Sequence, residues 1–156
     1  MKTYAAVVSA PTFGIGIECN ADEITGIDYL EPCAGIAPKT PLAKETVRQL
    51  RVWLKDPGFE FGLPLAAAGT HFQRRVWQRI STIPCGQTLS YGEVAAAIHS
   101  GPRAVGNACG ANPYPIVVPC HRVVAANQGL GGFGRQGGGF LLDIKRWLLR
   151  HENAKF

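Results

Sequence analysis

Residues 89–110 read LSYGEVAAAIHSGPRAVGNACG, and this stretch decides the architecture of the second half of the chain. Ser90 followed three positions later by Glu93 is a capping box, in which hydroxyl and carboxylate satisfy each other's backbone N–H groups, so a helix opens here. Val94 and Ile98 turn its apolar face inward. His99-Ser100-Gly101 ends it. Pro102, whose missing N–H costs nothing in a first helical turn, opens the next helix, PRAVGNACGAN. Two short helices joined by a tight turn make a helix-turn-helix. Ala104, Gly106, Ala108 and Gly110 leave the second helix nearly bare, although a glycine costs a helix interior about 1 kcal/mol. Two readings account for this: close packing on a neighbouring helix, or a recognition helix lying against the floor of a narrow minor groove.

Outward from this motif the pattern continues. Thr70 with Gln73 forms another capping box, opening a helix with Phe72, Val76 and Ile80 on one face and Pro84-Cys85-Gly86 as its end. Downstream, Ile116-Val117-Val118 reads as a buried strand that Pro119 terminates. A last helix carries Leu141, Ile144 and Leu148 on one face and runs up to Glu152. The first part of the chain differs. Residues 4–8, 14–18 and 24–29 read as short strands between turn residues. A helix over 41–55 follows, with Ala43, Val47, Leu50 and Leu54 as its stripe and Pro41 and Pro57-Gly58 as brackets. Residues 56–69 read as a linker with some β content. The expected division is a small N-terminal α/β domain over 1–66 and a mostly helical domain over 67–156.

Charge follows the same division. The net charge is +5, but residues 1–66 carry six Lys/Arg against eight Asp/Glu, and residues 67–156 carry ten against three. All four histidines also lie in the second part. A basic second domain is what a polyanion binder needs. The five cysteines, at 19, 33, 85, 109 and 120, form no C-x-x-C pair, which argues against a disulfide framework and a closed zinc site. No stretch approaches the roughly 18 apolar residues of a membrane span, and no leader pattern opens the chain. A soluble, cytoplasmic protein is expected.

The chemistry concentrates at Cys120-His121-Arg122. A cysteine between two apolar runs is usually a small buried hydrophobe. Here a potential base is its neighbour, and Glu152 offers a carboxylate near a helix C-terminus, where negative charge is unfavourable unless it has another use. A free thiol is only a few per cent thiolate at neutral pH, so a His that takes its proton and is held by a carboxylate would generate the nucleophile. Neighbours in a strand point to opposite faces, so the pair requires a turn at Pro119.

The runs GTHFQRRVWQRI, IPCGQTLSYGEVA, RAVGNACGANPYPIVVPCHRVV and IKRWLLRHE resemble those of the O6-alkylguanine-DNA alkyltransferase (methylated-DNA–protein-cysteine methyltransferase) family, over nearly all of residues 69–152. The resemblance implies a ribonuclease-H-like N-terminal domain and a winged helix-turn-helix domain that carries the active site. It implies a single-turnover repair enzyme, a monomer without a cofactor, whose partner is double-stranded DNA containing O6-alkylguanine, and less readily O4-alkylthymine. Cooperative binding along DNA is left open. Cys120 matches the acceptor thiol, His121 its base, and Glu152 the carboxylate that holds the His through a water. Asn112 matches the asparagine that supports the active-site turn, and Tyr91 the tyrosine that gives the departing guanine a proton. Arg103 matches the finger that fills the stack when the nucleotide swings out. Ala104, Gly106, Tyr91 and Arg122 fall on the expected DNA side, and Phe133 and Val123 at the substrate pocket. The glycine-rich segment 129–139 is longer than the family's usual form and is expected to widen the pocket towards bulky groups such as benzyl. The family's N-terminal zinc ligands have no match here, since Cys19, Cys33 and His71 are candidates by composition alone, and no metal is expected. Two rivals share the sequence: a non-catalytic lesion sensor, whose relatives replace the cysteine, and a cysteine hydrolase, which would need an oxyanion hole.

Overall fold

Three short apolar runs separated by turn residues build an antiparallel meander at the start of the chain. It comprises β1 (Ala6–Ser9), β2 (Gly14–Cys19) and β3 (Ile24–Leu30), in the order β1-β2-β3. The register pairs Val7 with Gly16 and Gly16 with Asp28. The computed structural model describes residues 2–125 and 139–156. They fall into two compact units, Met1–Ala67 and Ala68–Phe156.

In the first unit, α1 (Pro41–Lys55) starts at the Thr40 cap, whose hydroxyl accepts the Ala43 N–H, and has Pro41 in its first turn. It buries Ala43, Val47, Leu50 and Trp53 against β1 and β2, whose Ile15 and Ile17 are fully enclosed. Trp53, not Leu54, completes the stripe, because the wider indole fills the core where Leu54 stays half-buried. Burial of side chains of this size, at about 1.5–3 kcal/mol each, outweighs the weak intrinsic helix preference. The segment after α1 is not a free linker. The Gln49 amide donates to the Gly62 carbonyl at 3.0 Å and accepts the Gly62 N–H at 2.9 Å, and Ile24 bridges to Leu65.

The second unit holds the other four helices of the described residues. These are α2 (His71–Ile80), α3 (Tyr91–Ala97), α4 (Pro102–Gly110) and α5 (Phe140–His151). Both capping boxes form as expected, Thr70 with Gln73 and Ser90 with Glu93. α2 stops at Ile80 with Ser81 as its cap, three residues before Pro84. Between α3 and α4 the left-handed residue is His99 at φ 57°, while Gly101 keeps an ordinary φ of −109°. α4 packs on both α2 and α3, with Val105 and Ala108 inward, and the Trp77 indole N–H donates to the Ala108 carbonyl at 2.9 Å.

The expected strand over 116–118 does not form. Ile116 sits at φ 75°, and among the described residues the ladder contact of this segment is an isolated bridge from Pro115 to Val118. A β-branched residue in the left-handed region costs about 1–2 kcal/mol, so the surrounding packing must impose it. Ile116 is 3% exposed. The chain then enters a 3-10 turn, Cys120–Arg122, and leaves through β5 (Val123–Val124), which pairs in parallel with β4 (Leu89–Ser90). The turn required beside Pro119 is therefore present.

Gly69 supplies a stability test. Its φ is +83°, and a Cβ there would stand 2.5 Å from the Trp77 ring. Gly62 has an ordinary backbone and open space around the same position. Gly69→Ala is expected to lower stability by at least about 1–2 kcal/mol, and Gly62→Ala to stay within about 0.5 kcal/mol, read from urea midpoints. Equal shifts for the two variants would contradict this packing.

Candidate active site

Cys120 is held in place by one asparagine and by the geometry of the 3-10 turn. The Asn112 side-chain oxygen accepts the Tyr114 N–H at 2.9 Å. Its Nδ2 donates to the Val118 carbonyl at 2.9 Å and reaches Cys120 Sγ at 3.2 Å. One amide thus braces the loop between residues 112 and 120 and supplies a donor to the sulfur. The Cys120 N–H donates to Val118, and the Arg122 N–H to Pro119, closing the turn. Cys120 is 4% exposed and His121 1%.

Glu152 meets this turn from the end of α5. Asn153 adopts φ 55°, and the N–H groups of Asn153 and Ala154 donate to the carbonyls of Arg150 and Leu149. This is the Schellman arrangement, which fixes the residue just before the left-handed one in place. Glu152 Oε1 lies 3.0 Å from His121 Nε2, a direct pairing rather than the water-mediated one expected from the sequence. The ring N–H is not aimed along that line, so the attraction is chiefly electrostatic. Arg122 donates through Nε to Oε1 at 3.0 Å and through Nη2 to Oε2 at 2.6 Å, and through Nη1 to the Ile83 carbonyl at 2.7 Å. Arg122, expected on the DNA side, is turned inward instead. A buried carboxylate recruits the planar bidentate cation because anything less would leave its charge uncompensated.

The electrostatics assign protonation states. Burial pushes the Glu152 carboxyl up, but the contact with His121 and the hydrogen bonds from Arg122 outweigh it and hold the group at about 2. Burial pushes His121 down, against the opposing pull of Glu152, so the ring is neutral at pH 7. With Glu152 beside Nε2, the neutral ring carries its proton there, and Nδ1 is the nitrogen with a lone pair. Nδ1 has no hydrogen-bond partner among the described residues. The Cys120 thiol is pushed well up, first by the Cys109 thiol, then by burial and by the negative charge Cys109 can carry. Asn112 and the Lys145 charge pull it back without prevailing. The resting thiol is protonated beside a neutral base.

Two groups here escaped the sequence reading. Lys145 is completely buried on α5, and its Nζ donates to the Val123 carbonyl at 2.7 Å. It lies 3.5 Å from the Tyr91 hydroxyl and 5.7 Å from the Tyr91 ring centroid. Burial lowers it to about 8. Its signal was in the sequence: Leu141, Lys145, Leu148 and Glu152 recur at helical spacing on one face of α5. Cys109, on the last turn of α4, is the other group, and its thiol and that of Cys120 shift each other's protonation. No sequence rule joins cysteines across such a gap.

The remaining expectations divide. Tyr91 opens α3 and lies over Gly106, where an added Cβ would stand 3.9 Å from its ring. Burial pushes its phenol far up, so it stays a neutral donor. Val123 is buried, with its carbonyl on Lys145. Arg103 is exposed in the first turn of α4, and Ala104 and Gly106 are partly exposed beyond it. Phe133 and residues 129–138 of the glycine-rich segment lie outside the described residues. Among the described residues no cluster of three His, Cys, Asp or Glu could hold a metal.

The Glu152 pairing has a pH signature. Its folded pKa of about 2 lies below the ordinary 4.5. The stabilisation is therefore complete above about pH 4.5 and is lost as the pH falls towards 2. Glu152→Gln is expected to flatten the stability-versus-pH curve across that window, measured by urea unfolding. Arg122→Ala, which strands the carboxylate, is expected to cost about 3–5 kcal/mol at neutral pH. An unchanged acid slope in Glu152→Gln would refute the pairing.

Comparison with known proteins agrees with this arrangement. The family model described as 6-O-methylguanine DNA methyltransferase, DNA binding domain, matches residues 71–154. A methylated-DNA–protein-cysteine methyltransferase from Salmonella typhimurium is 52% identical over 92 residues, which is 58% of this chain and 51% of that protein. The chain thus spans about half the length of that relative. The constitutive methylated-DNA–protein-cysteine methyltransferase of Bacillus subtilis is 40% identical over 133 residues, 83% of this chain and 78% of that one. Among solved structures, Mycobacterium tuberculosis OGT in complex with DNA superposes with a TM-score of 0.77 at 37% identity, covering 94% of this chain and 91% of that one. On the family match over more than half of its length and the extent of these relatives, this chain belongs to the 6-O-methylguanine DNA methyltransferase family.

Proposed function

We propose that this protein repairs DNA by transferring the alkyl group from O6-alkylguanine, and less readily from O4-alkylthymine, onto Cys120 in a single irreversible turnover. The observation that carries the reading is the buried thiol with Asn112 Nδ2 at 3.2 Å, adjacent to a neutral histidine that is itself paired with Glu152 at 3.0 Å. His121 Nδ1 takes the thiol proton, directly or through one water, as Cys120 Sγ attacks the alkyl carbon and the carbon–oxygen bond breaks. The imidazolium so formed is stabilised by Glu152, and the nascent thiolate by Asn112 and Lys145. Tyr91, kept neutral by burial, donates a proton to the departing guanine. The product is a thioether, stable to water, so each molecule acts once and needs no cofactor.

In this reading the N-terminal unit is ribonuclease-H-like and the second a winged helix-turn-helix. α4 lies in the minor groove with Ala104 and Gly106 towards its floor. Arg103 enters the stack in place of the flipped nucleotide, since a thiol cannot approach the substituent in line inside an intact duplex. A monomer working in the cytoplasm completes the proposal. No helix among the described residues is long and apolar enough to cross a membrane.

Incubation with a duplex carrying one O6-methylguanine, followed by peptide mass spectrometry, tests the transfer. The expected result is a stable gain of about 14 Da on the peptide containing Cys120, one equivalent per protein, and none in Cys120→Ser. Methylation of Cys109 or Cys85 instead, or released product with unmodified protein, would overturn the reading. A separate comparison tests flipping. Arg103→Ala is expected to slow transfer from duplex DNA by at least about tenfold, while transfer from free O6-methylguanine base changes little, because free base needs no extrusion. Equal losses on both substrates would make Arg103 a structural residue.

A further inference from the structure

The proposed chemistry engages the second unit, yet the first carries a charged surface that its own packing leaves unused. Of the six Lys/Arg in residues 1–66, five lie between Lys39 and Lys55. Lys44, Arg48, Arg51 and Lys55 follow one another at spacings of four, three and four, so they share one face of α1. They line an open groove of about 420 Å³, together with Val47 and Val52. All four cations are exposed. Arg48 is paired with Glu45, whereas Lys44, Arg51 and Lys55 make no ion pair or side-chain hydrogen bond among the described residues. This placement strains the helix electrostatically. Like charges three and four residues apart repel, and Lys44 stands near the N-terminus of α1, where the helix dipole disfavours a cation. Nothing inside the unit compensates these three charges; an anion from outside would.

We propose that this face of α1 is a second DNA-binding surface, which holds the phosphate backbone of a duplex without reading its sequence or its lesion. At a rise of about 1.5 Å per residue, Lys44 and Lys55 stand about 16 Å apart along the helix, the axial length of about five nucleotides of a duplex strand. Exposed lysines and arginines contact phosphate oxygens and fix position without carrying sequence information. Among the described residues no aromatic ring lines the groove, so unpaired bases have nothing to stack on and the backbone is the target. A duplex is favoured over an acidic protein by what the rest of the chain does. The family match assigns DNA binding to residues 71–154, and a duplex held there is joined to the first unit through the chain at high effective concentration. Contacts too weak to bind DNA alone then add to affinity. Outside residues 39–55 the first unit carries Lys2 against seven Asp/Glu and repels phosphate, which confines DNA contact in that unit to α1. The surface rests on DNA as the partner, not on Cys120 as the acceptor.

The test measures binding of the full chain to an unmodified fluorescent duplex by anisotropy, between about 50 and about 200 mM salt. The triple variant Lys44→Gln, Arg51→Gln, Lys55→Gln places good helix formers at exposed positions, and an unchanged urea midpoint establishes that it folds. It is expected to bind at least about tenfold more weakly at the lower salt, with a slope of log affinity against log salt shallower by about two to three. Arg51→Gln alone, which also serves if the triple variant does not fold, is expected to lower the slope by about one. Lys2→Gln, outside the groove, is expected to leave it unchanged. Equal slopes for Arg51→Gln and Lys2→Gln would reduce the effect to net charge and overturn the proposal. Binding of poly-glutamate that the triple variant loses, with its duplex binding intact, would also overturn it and assign the face to an acidic protein. If the slope falls as expected in a protein that accepts no methyl from an O6-methylguanine duplex, the transfer reading fails and the surface stands. If methyl is accepted and the slope does not change, the surface alone fails.

Discussion

A carboxylate with no exposed side-chain surface sits at the end of α5, and the second unit is organised around making that tolerable. Removing such a group from water costs several kcal/mol, and only partners of good geometry recover it. Glu152 has two, and they are consecutive in sequence. Arg122 grips both oxygens, and His121 faces one of them. Because Arg122 also holds the Ile83 carbonyl, one charge ties together the loop after α2, the 3-10 turn and the C-terminus of α5. Even the glycine at 86 fits this junction, since a Cβ there would press to 3.3 Å from the Glu152 carbonyl oxygen. Cys120 is placed by that junction as much as by its own contacts.

The same burial that makes Glu152 demanding keeps the thiol quiet. A desolvated sulfur beside another sulfur favours its proton, and the neutral His121 does not remove it at rest. In the proposed reaction this is useful, because an acceptor that acts once is wasted by any stray electrophile. Reactivity appears only when the proton has somewhere to go. In that proposal His121 offers Nδ1, Glu152 stabilises the resulting cation, and Asn112 and Lys145 stabilise the new anion. Lys145 at about 8 can carry its charge near neutrality despite complete burial.

What the sequence made legible was mostly short in range. Both capping boxes form at the residues expected, because hydroxyl, carboxylate and backbone lie within three positions. α1 spans Pro41–Lys55 as read, with a proline at its start and an apolar stripe to bury. The misreadings all involve distant partners. Three apolar residues at 116–118 carry a strand pattern, but Ile116 is forced into a left-handed turn by packing. Arg122 looked like a DNA contact in a basic domain, and only a glutamate 30 positions away shows otherwise. Cys109 reaches the site by the same route, through the fold, whereas Lys145 shares with Glu152 a face of α5 that the helical spacing already marked.

The glycines of α4 show how packing and function can be separated. At Gly69 the structure states why no side chain is allowed: φ is +83° and Trp77 occupies the space. Gly106 is different. Its backbone is helical, and a methyl group would meet Tyr91 at 3.9 Å, an ordinary contact that packing tolerates. The fold therefore does not require glycine there, although an alanine would favour the helix by about 1 kcal/mol. Ala108, by contrast, is buried between α4 and its neighbours and is explained by close packing alone. The two readings of this bare helix apply to different faces. Packing accounts for the inner one, Val105 and Ala108. The penalty at Gly106, on the partly exposed side with Ala104 and just beyond Arg103, is what a helix lying close to a groove floor would accept.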